Sequence, residues 1–133
     1  MSTTFTESAR IGDVLKREMD ALYNREVITV ASGNNLALGT VVGIVSSSGE
    51  YAIYDSAASN GTEDAVGVLL EPVDATAADA QGVILARGPA VVNVNALVFK
   101  GGETSNGKAA AIAALKALGI VARTGIGGAP VTL

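Results

Sequence analysis

Residues 65–99, AVGVLLEPVDATAADAQGVILARGPAVVNVNALVF, constrain the fold more than any other stretch of the chain. Short apolar runs are bounded there by Gly, Pro, Asp and Thr. Residues 65–70 read as a buried strand that ends at Glu71 and Pro72, because proline cannot donate to a sheet ladder. Residues 73–80 read as a polar, alanine-rich link. A second strand is expected over 83–86, a turn at Gly88 and Pro89, and a third strand over 90–95. In the third, Val92 and Val94 share one face and Asn93 and Asn95 the other, which is either a solvent face or a polar lining between subunits. Continuous apolar runs separated by short turns predict strands buried on both faces. The fold class expected is mainly β with one α-helix near the C-terminus, in a compact single domain.

Composition narrows the functions open to such a body. At 133 residues the chain is long enough to bury roughly two-thirds of its unfolded surface. Aromatic residues are 4% of it and tryptophan is absent, so the core is built from Val, Ile, Leu and Ala. The net charge is -4 and the nine basic residues are scattered, which argues against direct binding of nucleic acid, where clustered Lys and Arg are needed. Without cysteine there is no disulfide, thiol nucleophile or common zinc site. Without histidine the chain lacks the commonest general base and transition-metal ligand. No apolar run approaches the roughly 18 residues of a membrane span, and the first ten residues, MSTTFTESAR, do not have the pattern of a secretory signal. No cofactor is implied, and no membrane association.

Elsewhere the chain alternates strand and turn signals. Residues 2–6 read either as a frayed terminus or as an arm that adds a strand to another chain, since Thr and Phe favour extended structure. Over 8–23 the spacing of Ile11, Val14 and Leu15 is helix-like, but Gly12 and Asp13 limit it to a short helical turn. Residues 26–31 form a strand closed by the turn cluster Ser32, Gly33, Asn34 and Asn35. Residues 41–45 and 51–54 form a hairpin around the SSSGE turn, and Gly43 within it signals a bulge or a close backbone approach. Residues 55–64 are a polar loop with a tight turn at Asn60 and Gly61. A helix over 108–118 is capped by Ser105 or Asn106, lines one face with Ala111, Ile112, Leu115 and Leu118, and stops at Gly119. That alanine-rich helix is either a core element or a packing surface against a second copy. Residues 120–123 are a last strand.

Candidate chemistry is sparse. Glu63 with Asp64, and Asp74 with Asp79, are carboxylate pairs in loop or linker sequence, where solvated charge is the ordinary state. Asp55, Ser56 and the run Ser46, Ser47 and Ser48 offer hydroxyls and a carboxylate, but a serine nucleophile needs an activating base. Lys16, Lys100, Lys108 and Lys116 could in principle supply a Ser–Lys pair, and each has an easier surface reading. Gly125, Ile126, Gly127 and Gly128 resemble part of a dinucleotide fingerprint without its full spacing and without a helix to open. The expected enzyme class is none, with no catalytic and no metal-binding residues.

The order of several segments carries a resemblance. TTFTE at residues 3–7 is followed by REVITVASG at 25–33 and LGTVVGIV at 38–45. AVGVLLEPVDATAADAQGVILARGPAVVN at 65–93 and KAAAIAALKALGIVAR at 108–123 complete it. The chain resembles the bacteriophage head decoration protein family, that of the lambda-like capsid decoration protein D. The resemblance implies a capsid cement protein of β-clip-like fold, forming homotrimers on the outer surface of the expanded head and stabilising it against packaged DNA. It implies the major capsid protein as partner, a place on the virion's outer surface, and synthesis in the host cytoplasm. It also divides the chain into a flexible arm at 1–10, a β-rich decoration domain at 11–123 and a Gly-rich tail at 124–133. Ser2, Thr3, Thr4, Phe5, Thr6 and Glu7 become the capsid-binding arm, with Phe5 as its side-chain anchor. Compared with the lambda-like pattern, this chain has more sequence before the strand at Val41 and a glycine-rich tail after Arg123. The alternative reading is another virion surface or adhesive module, such as a tail or fibre component. An enzyme on a β-clip scaffold would need ordered carboxylates and phosphate-binding motifs that are not found.

Overall fold

The computed structural model describes residues 11–124. The arm residues Ser2 to Glu7 and the tail glycines Gly125, Gly127 and Gly128 lie outside the described residues.

Residues 8–23, expected to hold at most a short helical turn, contain a strand between two such turns: α1 (Ile11–Val14), β1 (Leu15–Glu18) and α2 (Ala21–Asn24). The helical spacing fails after Val14 because Leu15 and the residues after it pair with a later strand. Met19 and Leu22 are 66% and 93% exposed. The chain then forms β2 (Arg25–Val30), β3 (Asn34–Leu36), β4 (Val41–Ile44) and β5 (Tyr51–Ile53). It continues with β6 (Gly67–Leu69), β7 (Val73–Ala75), β8 (Ala80–Leu85) and β9 (Ala90–Asn93). A 3-10 turn over Val94–Ala96, α3 (Ser105–Ala117) and β10 (Ile120–Arg123) complete it. The body is mostly β, with one α-helix of substantial length near the C-terminus, in a compact single domain.

The strands form three units: a closed barrel in the order β2-β5-β4-β6-β8, a three-stranded sheet β1-β9-β10, and a ribbon β3-β7. Strand β9 sits between β1, antiparallel to it, and β10, parallel to it. Both members of the β3-β7 ribbon depart from the sequence reading. Asn34 and Asn35 belong to a strand as well as to the turn before it, and the link at 73–80 opens with one, Leu36 pairing with Val73. Alternation explains it: Val73 and Ala75 are buried while Asp74 between them is exposed, a period of two too short to stand out among alanines.

Two cores lie on either side of one barrel wall. Val41, Val68 and Leu85 face a core that also holds Val92, Leu97, Ala111, Leu115 and Ile120. Their chain neighbours Val42, Leu69 and Ile84 face the barrel interior, with Ile28, Val30, Leu36 and Val73. Successive residues of a strand point to opposite faces, so a wall between two cores must be apolar at every position. That is the reason for the continuous runs at 41–45, 65–70 and 83–86. Strand β9 departs from this, alternating buried and half-buried positions. The third strand also ends early, because the Asn93 side chain accepts the Asn95 N–H at 3.0 Å and caps the 3-10 turn.

Helix α3 starts earlier than expected, with Thr104 as N-cap in place of Ser105 or Asn106, its side chain accepting the Gly107 N–H at 2.9 Å. Ala111 and Leu115 are buried as expected, while Leu118 is left exposed at the rim. Gly119 stops the helix at φ 87°, a left-handed conformation that favours glycine. Gly43 is the close approach its position in the strand signalled: a Cβ there would lie 2.7 Å from the Thr62 Cα and 2.9 Å from the Asp64 carbonyl oxygen.

Candidate functional surfaces

The polar side chains that could carry chemistry are tied into turns. Asp55 accepts the Ala57 N–H at 3.0 Å and a bond from Lys100 Nζ at 2.7 Å. The Lys100 bond, seconded by the Ala57 N–H, holds the Asp55 carboxyl below its ordinary value, and Asp55 in turn raises Lys100. Glu103 accepts the Ser56 hydroxyl at 2.8 Å and the Ser56 N–H at 3.0 Å, and the hydroxyl is the main cause of its lowered pKa. These bonds join the loop after β5 to the loop before α3. Ser56 therefore has a carboxylate as hydrogen-bond acceptor, and Lys100 is engaged by Asp55.

Glu63, Asp74, Asp79 and Lys108 are engaged as well. Glu63 accepts the Gly61 N–H at 2.8 Å, and Asp74 closes a turn by accepting from both the Thr76 hydroxyl and its N–H. Asp79 accepts the Ser32 N–H at 2.8 Å and lies 47 positions away from it in sequence. Its bond with Glu50 raises the Glu50 carboxyl and lowers its own. Lys108 lies over the Phe99 ring, 5.8 Å from its centroid. Asp74 and Asp79 thus serve separate turns and do not form a site. Among the described residues no three acidic side chains come together as a metal-binding group. No helix among them is long and apolar enough to cross a membrane.

Apolar surface is the more distinctive feature. Met19, Leu22, Tyr23 and Val27 are exposed at 66%, 93%, 53% and 68%, large values for such side chains. The turn that carries Leu22 and Tyr23 is held by Asn24, which is fully buried. Its Oδ1 accepts the Asp20 N–H at 2.8 Å and its Nδ2 donates to the carbonyls of Arg87 and Pro89 at 2.8 and 3.3 Å. Arg87 pairs with Glu26, donates to the Tyr23 carbonyl and lies 5.4 Å from the Tyr23 ring centroid. Beside this turn a groove of about 470 Å³ runs along Glu18, Met19, Val91, Gly119 and Val121. None of this surface was singled out in the sequence. Apolar residues at 19, 22 and 27 look like ordinary core positions until the strand registers are known.

Among the described residues, exposed apolar side chains at 19, 22, 23 and 27 make a surface suited to contact. A sequence model of the family described as bacteriophage lambda head decoration protein D matches residues 4–120. The chain belongs to that family. A comparison with curated proteins gave no match. The head decoration match begins within the segment of Ser2, Thr3, Thr4, Phe5, Thr6 and Glu7 and runs to the first residue of β10, so it covers the whole barrel and α3. Membership makes the chain a structural protein of the phage head, with the outside of the capsid as its place and the capsid as its partner.

Proposed function

We propose that the protein is a cement protein which binds the expanded head as homotrimers and stabilises it against the pressure of packaged DNA. The observation that carries this reading is the family match over residues 4–120, on a body in which the candidate side chains Asp55, Ser56 and Lys100 are engaged in loop-to-loop bonds. The partner in contact is the major capsid protein. Ser2, Thr3, Thr4, Phe5, Thr6 and Glu7 act as an arm, 1–10, that orders by adding a strand to it, with Phe5 as anchor. The body at 11–123 stays folded throughout, and the tail at 124–133 is a separate segment.

Exposed apolar side chains at Met19, Leu22 and Val27 support an assembled state, since a monomer gains nothing from exposing them. Each trimer engages the lattice through several arms at once, so individually weak contacts become collectively strong. The ordering of an arm opposes binding entropically, which makes affinity depend on a shell that presents the right strand edge. Deleting Met1 to Glu7 is expected to leave the thermal unfolding of the body unchanged and to abolish sedimentation with expanded shells. A truncated protein that still saturates those shells would remove the arm from the account.

A further inference from the structure

Among the described residues, strand β2 is bonded along one edge and has almost no strand partner along the other. It pairs with β8 over its full length, Arg25 opposite Leu85 through Val30 opposite Ala80. With β5 it shares a single register point, Val30 opposite Tyr51, and the two strands run parallel from there. The rest of β2 therefore lies alongside the turn that precedes β5, and a cleft of about 760 Å³ opens between them. Four successive residues, Glu26, Val27, Ile28 and Thr29, line it, so it takes in the strand's edge, and it reaches across β2 to Gln81 and Ile84 of β8.

The direction of the backbone groups follows from two bonds. The Ala86 N–H donates to the Asn24 carbonyl at 2.8 Å, on the β8 side. The Ala31 N–H donates to the Tyr51 carbonyl at 2.9 Å, on the β5 side. Alternation along the strand then aims the amides of Glu26, Ile28 and Val30 at β8 and those of Arg25, Val27 and Thr29 away from it, Val27 and Thr29 into the cleft. At Arg25 and Val27 no residue of β5 stands opposite. A strand edge in this state is a template for another chain. The Val27 side chain, 68% exposed and paired with the half-buried Val83, offers an apolar contact beside it.

Charge indicates what fits. Arg87 is paired with Glu26 at the cleft, and the bonded pair of Glu50 and Asp79 leaves the lining acidic on balance. Neither terminus is a basic segment: residues 1–10 set Glu7 against Arg10, and residues 125–133 carry no charged side chain. We propose that the free edge of β2 at residues 25–29 is a strand acceptor for an extended, basic segment of the capsid shell. The inference rests on the decoration reading and adds a second contact to it: the arm gives a strand to the shell, and β2 receives one.

Hydrogen exchange on the full chain, free and bound to undecorated expanded shells of its phage, tests this directly. In the free protein the Val27 amide exchanges much faster than those of Ile28 and Val30. On shells it slows by about tenfold or more. Val27→Pro removes an N–H that the β8 ladder does not use and weakens shell binding by about tenfold. Should that variant fail to fold, Val27→Lys and Val27→Glu separate the outcomes by charge: lysine weakens binding and glutamate does not. Saturated shells with unchanged exchange at Val27 overturn the acceptor and leave the decoration reading standing. Slowing of the Val27 amide in the absence of shells, as protein concentration rises, overturns it in favour of a second copy. Fast exchange appearing in the free protein when residues 1–10 are deleted overturns it in favour of the chain's own arm. No binding to any shell removes both readings.

Discussion

The Tyr54 hydroxyl donates to the Gly107 carbonyl at 2.8 Å, tying the end of β5 to the first turn of α3 across 53 positions of sequence. Tyr54 is 2% exposed, and its ring meets Phe99 edge-on with centroids 6.3 Å apart. The bond thus fastens the helix to the barrel from within the larger of the two cores. Tyr54→Phe keeps the ring and deletes the bond, so the expected loss is about 1 kcal/mol in chemical denaturation.

The same hydroxyl sets an alkaline limit. Burial first, then the charges of Glu103, Asp64 and Asp55, raise its pKa above the ordinary 10.0. A group whose pKa is higher folded than unfolded stabilises the protein below the unfolded value and stops doing so as pH rises through the folded one. Stability is therefore expected to fall above about pH 10, and the fall to be shallower in Tyr54→Phe. Unfolding midpoints measured from pH 8 to 11 check it.

At the acid end the sign reverses. Asp55 is lowered chiefly by its Lys100 bond and Glu103 chiefly by the Ser56 hydroxyl. Their contribution is complete above the unfolded carboxylate values and is lost as pH falls through the lower folded ones. Both groups face solvent, so the effect is modest and weakens with salt. Below about pH 4 the loops after β5 and before α3 should loosen together, and Asp55→Asn with Glu103→Gln should flatten that dependence. Denaturation midpoints between pH 3 and 6, at low and high salt, are the readout.

How much of this was legible depended on whether a residue's burial followed from its near neighbours. The hairpin around 46–50, the Gly119 stop of the helix and the strand at 120–123 rest on local turn and capping chemistry and stand as read, while the helix begins three residues earlier under a different cap. The apolar runs at 65–70 and 83–86 announced burial on both faces, and the two-core wall of β4, β6 and β8 is what they serve. Strand β1 was not legible, because its pairing with Val91 and Val92 lies more than seventy positions away and Ile11, Val14 and Leu15 mimic a helix. The β3-β7 ribbon was hidden by alanines and by asparagines that signal turns. Of the surfaces, Leu22 and Val27 gave no sign of exposure, since an apolar side chain looks the same in sequence whether it is covered or not. The arm read at residues 2–7 lies outside the described residues and stays a proposal.

Gly43 offers a sharp test of the packing between β4 and the loop that precedes β6. A methyl group there meets the backbone of Thr62 and Asp64 and not a flexible side-chain end. Gly43→Ala is expected to destabilise the protein by about 1–3 kcal/mol although alanine suits a strand's backbone. Gly49→Ala, at φ 75° with open space around it, separates this steric cost from conformational strain. A denaturant series on both variants decides it. An unchanged midpoint for Gly43→Ala would mean the loop yields without cost.

The most direct test of the central claim is sedimentation of the purified protein with undecorated shells of its phage, in compact and in expanded form. The account predicts saturable binding to expanded shells and none to compact ones. Absence of binding to either form of the cognate shell would contradict it.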